Sequence, residues 1–149
     1  MTSVVGFIEV PGKENYKELI TVWEAAVRAT HYFLTEEDIC FIKPLLLEQY
    51  FDAVQLHCIR IDKNVTAFIG TSDNKIEMLF VHPSYHGHGM GKRLMNFAVN
   101  HLHKTLVDVN EQNMQAVGFY QHLGFSVIGR TEKDGLGKPY PILQMQLLK

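Results

Sequence analysis

The spacing of apolar residues along this chain predicts its elements one after another. Residues 3–10 are apolar enough for a strand, and Pro11-Gly12 ends it. Over residues 14–33 the apolar positions return at helical spacing: Leu19, Ile20, Trp23, Ala26, Val27 and Thr30. Thr35, followed by Glu36, Glu37 and Asp38, is a helix start with acidic residues at the positive end of the helix dipole. This second helix must bend or break near Pro44, which has no N–H to give, and resume over residues 45–51.

The period then changes from helical to alternating. Residues 54–61 alternate, Asp62-Lys63-Asn64 turns, and residues 65–70 run back. Asp73-Asn74 turns again, and residues 75–81 make a third consecutive strand. A stretch rich in glycine and histidine follows, VHPSYHGHGMGKRLM, and leads into a helix from Gly91 to near Lys104 whose apolar face carries Leu94, Met95, Ala98 and Leu102. Residues 105–109 read as a short buried strand, residues 113–123 as a helix closed by Gly124, and residues 125–130 and 142–148 as the last strands. The order implies one α/β domain over residues 1–149, an α+β mixed sheet with helices on both faces.

Composition narrows the function classes. The chain has 149 residues, 46% hydrophobic and 20% charged, with a net charge of −2, which argues against a nucleic-acid binder. There is no apolar run long enough for a membrane and no signal-peptide pattern, so a cytoplasmic protein is expected. Cys40 and Cys58 sit in apolar surroundings and read as buried, reduced thiols.

The glycine stretch has several readings. It could be a bare turn, but three glycines at alternate positions just before a helix exceed what a turn needs. His82, His86 and His88 could suggest a metal, but Pro83 and the glycines prevent helical ligand spacing and no cysteine completes a set, so no metal is expected. A P-loop requires Ser or Thr after Gly-Lys, and here Arg93 follows Gly91-Lys92. Gly87, Gly89 and Gly91 give G-x-G-x-G rather than the dinucleotide fingerprint, although Asp108 lies at a suggestive distance. The physics shared by those motifs still holds: strand, glycine turn and helix N-terminus aim free N–H groups at one point. Lys92 and Arg93 oppose the helix dipole, a conflict that a bound pyrophosphate would relieve.

HGHGMG, His86 to Gly91, resembles the acetyl-CoA pyrophosphate loop Q/R-x-x-G-x-G/A of the GCN5-related N-acetyltransferase (GNAT) family, with His86 in place of Gln or Arg. Downstream, NEQNMQAVGFYQHLGF resembles that family's N-x-x-A-x-x-F-Y-x-x-x-G-F segment, with Asn113, Ala116, Phe119, Tyr120, Gly124 and Phe125 in register. The resemblance spans the whole chain. It implies the family's fold, a central, mostly antiparallel sheet with helices on both faces. It also implies acetyl-CoA (coenzyme A) as cofactor, an amine acceptor that is a small molecule or a peptide, and a fold in which homodimers are common. Cofactor contacts are implied at Leu79, Phe80, Val81, His86, Gly87, His88, Gly89, Met90, Gly91 and Lys92, and at Asn113, Ala116, Phe119 and Tyr120.

Acetyl transfer from a thioester to an amine needs a neutral amine, a stabilised oxyanion and a proton for the departing thiolate. Tyr120 suits the last task, since a phenol of pKa about 10 stays protonated at neutral pH. Asn113, Ala116, Val117 and Tyr120 share one helix face. Glu77, a carboxylate in an apolar strand and on the face expected for Leu79 and Val81, is the candidate base; His31, His82 or a water chain are alternatives. By resemblance an amide near Phe80 or Val81 faces the thioester carbonyl, and the acceptor lies against Arg28, His31, Tyr32, Phe33 and Tyr140. This mixture of aromatic, histidine and arginine side chains suggests a small polar acceptor that carries a carboxylate. The competing function is a non-catalytic acyl-CoA-binding domain on the same scaffold, which could lack both Tyr120 and Glu77.

Overall fold

In the computed structural model, which describes residues 6–148, the hairpins predicted from alternation build the centre of one sheet. Its strands are β1 (Phe7–Glu9), β2 (Gln55–Ile61), β3 (Asn64–Ser72), β4 (Lys75–Val81), β5 (Leu106–Asn110), β6 (Phe125–Thr131) and β7 (Ile142–Leu147). They lie in the order β1-β2-β3-β4-β5-β7-β6, all antiparallel except β4 against β5. The helices are α1 (Tyr16–Thr30), α2 (Glu36–Leu45), α3 (Met90–Asn100) and α4 (Met114–His122). This is the expected mixed sheet. The portion of the first strand expected at residues 3–5 lies outside the described residues.

Two cores cover the sheet. On one face α1 buries Leu19, Val22, Trp23 and Val27 against Phe51, Leu56, Cys58 and Phe68. On the other, α3 buries Met90, Leu94, Met95 and Ala98 against Ile59, Ala67, Ile69 and Ile76. Residues 65–71 of β3 are buried throughout because helices cover both of its faces. Both cysteines are free thiols: Cys58 is buried and its thiol pushed up to about 11 by burial, whereas Cys40 is exposed, contrary to expectation.

Local chemistry sets the element ends. Asp62 and Lys63 take φ of 50° and 73°, the two left-handed residues of a tight hairpin turn. Thr35 and Asp38 form a reciprocal cap: Asp38 N–H donates to Thr35 Oγ1 at 3.1 Å, and Thr35 N–H donates to Asp38 Oδ2 at 3.0 Å. The break expected at Pro44 takes the form of a widened π-helical turn over Leu46–Tyr50. Helix α3 stops at Asn100, short of the expected Lys104, because His103 turns left-handed at φ 58° and Lys104 N–H folds back to Ala98 O at 3.0 Å.

One irregularity matters for the site. Thr71 pairs with Ile76 while its neighbour Gly70 pairs with Met78, so Glu77 is an extra residue, a β-bulge. The alternation slips there: Ile76 and Leu79, three apart, both pack toward α3, whereas Met78 and Phe80 pack toward α1. Glu77 therefore does not sit on a regular face with Leu79 and Val81, as strict alternation predicted. It is exposed, and Ser72 Oγ donates to its carboxylate.

The loop between β6 and β7 is tied to α2 through Asp38. Asp38 is 4% exposed and accepts from the Tyr140 hydroxyl, from Thr35 N–H and from Lys138 Nζ at 3.2 Å. The Tyr140 hydroxyl, then the Thr35 amide and Lys138, hold its carboxyl down at about 2. A folded-state pKa below the unfolded value means stability present above pH ~4 and lost as pH falls toward 2. Asp38→Asn is expected to destabilise the protein by about 2 kcal/mol at pH 7. The gap to the unsubstituted protein should close between pH 4 and 2 when urea midpoints are compared.

Candidate active site

Strands β4 and β5 pair at only two positions, Lys75 with Leu106 and Ile76 with Val107. Beyond them the strands part and open a cleft of about 390 Å³. Leu79, Phe80 and Val81 form one side, and Asn113 at the N-cap with Ala116, Phe119 and Tyr120 of α4 the other. The glycine loop and the start of α3 close one end, and Ala26, Thr30 and His31 of α1 and its cap close over the cleft.

The free edge of β4 supplies backbone groups. His82 N–H donates to Thr66 O on β3 at 2.8 Å. Strand alternation then directs the amides and carbonyls of Leu79 and Val81 into the split, and those of Phe80 toward β3. Of the two amides expected near the thioester, Val81 faces the cleft. His86 Nε2 lies 3.2 Å from Val81 O, which fixes the loop to this edge.

The loop leaves open space beside its backbone. Gly87 and Gly89 take φ of 82° and 75°, the left-handed region, and a Cβ on either would meet nothing within 4 Å. Backbone conformation, not crowding, demands glycine at both positions. Gly89 caps α3, and its carbonyl accepts from Arg93 N–H at 2.9 Å. The amides of Met90, Gly91 and Lys92 precede the first intrahelical donor and are left for a ligand. A Cβ on Gly91 would lie 3.5 Å from Phe119 Cζ, in ordinary contact. Lys92 lines the cleft, but Arg93 does not: its guanidinium donates to Gly6 O at 2.6 Å. Only one of the two basic residues can therefore answer an anion.

Tyr120 is buried against Phe119 and Phe125, at ring distances of 5.2 and 5.9 Å, and lines the cleft. Burial pushes its phenol further up, so it holds its proton. Its hydroxyl makes no hydrogen bond among the described residues. Asn113 caps α4: its Oδ1 accepts from Ala116 N–H at 3.2 Å, which leaves Nδ2 toward His31 Nε2 at 3.5 Å. Burial brings the His31 imidazole down to about 4, so it is neutral at pH 7.

Several expected site residues lie elsewhere. Arg28 is held on the surface by Glu24 and Glu36, at 2.9 and 2.6 Å. Tyr32 is 83% exposed. Tyr140 is engaged by Asp38, packs on Phe33 at 5.5 Å and does not line the cleft. His88 is exposed against Tyr85, and the bulge and Ser72 keep Glu77 off the lining. Conversely Ala26, Thr30, Tyr85 and Gln115 line the cleft, though sequence reasoning named none of them as site residues. Ala26 and Thr30 belong to the apolar stripe of α1 and read as core; nothing in the sequence marks where the stripe outruns the sheet. Among the described residues no three metal-ligating side chains gather, and no helix is long and apolar enough to cross a membrane.

Comparison with known proteins decides the family. A family model described as an acetyltransferase (GNAT) domain matches residues 34–146. The chain belongs to the GCN5-related N-acetyltransferase family. It is 36% identical over 132 residues to the peptidyl-lysine N-acetyltransferase YjaB of Salmonella typhimurium, covering 89% of this chain and 91% of that protein. The solution structure of apo YjaB from Escherichia coli superposes with a TM-score of 0.86 at 35% identity, over 97% of this chain and 98% of the other. The fold is also that of a PaiA N-acetyltransferase from Thermoplasma acidophilum solved with coenzyme A, at a TM-score of 0.74 and 21% identity, over 95% and 99% of the two chains.

The enzyme is an acetyl-CoA-dependent N-acetyltransferase. The open glycine loop, the helix amides and the unpaired β4 edge fit a pyrophosphate and an extended amide-bearing arm. Gly89→Glu places a carboxylate at the cradle and a side chain at φ 75°. Calorimetry is expected to show acetyl-CoA affinity reduced about 100-fold or more, with the thermal midpoint changed by only a few degrees.

Proposed function

We propose that this acetyltransferase acts in the cytoplasm on the side-chain amine of lysine in peptides or proteins, by direct attack of the amine on the thioester. The acceptor class rests on the 36% identity to a peptidyl-lysine N-acetyltransferase. One observation carries the chemistry: the buried Tyr120 phenol of α4 lines the same cleft as the free β4 edge and the glycine loop.

The residues divide the work. The glycine loop, the first-turn amides of α3 and Lys92 hold the pyrophosphate. The Leu79 and Val81 backbone pairs with the pantetheine arm, and the Val81 amide donates to the carbonyl oxygen as it gains charge. Tyr120 gives its proton to the departing sulfur. Asn113 orients the arm from the start of α4. The acceptor's proton goes to a group inside the cleft rather than to Glu77, whose carboxylate Ser72 engages outside it.

Thiol release with a lysine-containing peptide tests this reading. Tyr120→Phe is expected to lower kcat about 100-fold while acetyl-CoA affinity stays within threefold. A variant with undiminished kcat would remove Tyr120 from the chemistry, and a protein that binds acetyl-CoA but releases thiol with no amine would be a binding domain. Because burial raises the Tyr120 pKa above its ordinary value, kcat should rise with pH as the amine deprotonates and show no falling limb up to about pH 9.

A further inference from the structure

The ring of His31 is oriented by a chain of hydrogen bonds that fixes where its proton resides. Thr30 Oγ1 donates its only proton to Ala26 O at 2.8 Å, one turn back in α1. The hydroxyl oxygen therefore offers only a lone pair to its other neighbour, His31 Nδ1, at 2.8 Å. Two lone pairs do not attract at that distance, so Nδ1 carries the ring proton. The bare nitrogen is then Nε2. It points to Asn113 Nδ2 at 3.5 Å, a donor whose partner oxygen is already committed to Ala116 N–H. Asn113, Thr30 and His31 all line the cleft that holds the Tyr120 phenol.

The surroundings keep the imidazole neutral. The rings of Phe33 and Phe80 lie 5.4 and 6.2 Å away, and its polar neighbours are the uncharged Thr30 and Asn113. Among the described residues no carboxylate lines the cleft, and its other basic side chains, His86 and Lys92, belong to the glycine loop and the start of α3.

We infer that His31 Nε2 is the proton acceptor of the transfer, a catalytic residue that takes a proton from the attacking amine. The inference rests on the acetyl-transfer reading above. The amine lone pair forms a bond to the carbonyl carbon, the carbon–sulfur bond breaks, and its electron pair goes to sulfur. Tyr120 hands its phenolic proton to that sulfur, and His31 Nε2 takes one proton from the nitrogen. One proton passed from imidazolium to phenolate, through solvent, restores both side chains. Nitrogen already bonded to the carbonyl carbon is a far stronger acid than free ammonium, so a weakly basic imidazole suffices. The same orientation lets Asn113 hold Nε2 in place until the amine displaces its long hydrogen bond.

Two measurements on the full chain test the assignment. With histidine labelled by ¹⁵N, the His31 ring at pH 7 should show a protonated Nδ1 and an unprotonated Nε2; the reverse tautomer or an imidazolium overturns the proposal. In kinetics, His31→Ala should lose about 100-fold in kcat, keep acetyl-CoA binding within threefold, and recover in part when imidazole is added. A kcat within threefold of the unsubstituted enzyme, a loss confined to acceptor KM, or a loss that imidazole leaves untouched overturns it. Should His31→Ala not fold, Thr30→Val serves instead: it keeps the shape, removes the oxygen that receives the Nδ1 proton, and should cost about tenfold in kcat, with Thr30→Ser restoring it. An unsubstituted enzyme that acetylates no amine defeats the transfer reading and this proposal with it; an active enzyme with the reverse tautomer defeats this proposal alone.

Discussion

Parallel pairing between β4 and β5 ends after Ile76 and Val107, and the chain never resumes it. An unpaired strand edge in a protein interior is costly, because each amide and carbonyl facing away from water lacks a partner. Here the edge faces a cleft instead of a neighbour, which leaves the same groups open to an extended ligand. The β-bulge at Glu77 sits at the point of divergence and aims Leu79 and Val81 from there onward. Everything that makes the site borders that split: the glycine loop continues β4, α4 follows β5, and the end of α1 lies across the gap.

The cleft is electrostatically divided. Its glycine-loop end gathers the helix amides and Lys92, a concentration of positive potential suited to phosphate. Its other end is aromatic and uncharged, with Phe80, His31 and Tyr120. Burial acts oppositely on the two titratable groups there and reaches the same result: it raises the phenol, lowers the imidazole, and leaves both neutral. In the proposed transfer the first would be the proton source and the second the proton sink, with no full charge between them.

The sequence carried the architecture well wherever local rules govern. The hairpin of β2 and β3, the cap at Thr35 and the glycine loop follow from turn chemistry and periodicity that act over a few residues. Of the candidate site, the side that carries Gly87, Gly89 and Tyr120 was legible as cleft lining for the same reason, since these residues lie in contiguous segments. The acceptor side was not. Glu77 reads as facing the cleft if β4 alternates regularly, and the bulge that prevents this is a pairing between strands, invisible along one of them. Arg28 and Tyr140 look like ligand contacts until their partners Glu36 and Asp38 are brought beside them by folding. The tautomer of His31 depends on where a neighbouring hydroxyl has spent its single proton, which only helix geometry reveals.

Asp38 joins segments far apart in the chain: its carboxylate completes the start of α2 and also receives Tyr140, 102 residues away, and Lys138. The Tyr140 ring in turn rests on Phe33, and Phe33 on His31. A helix start and a hairpin connection that could otherwise fluctuate independently share one anchor. Removal of that one carboxylate would therefore loosen three things together: the start of α2, the loop before β7 and the aromatic backing of His31.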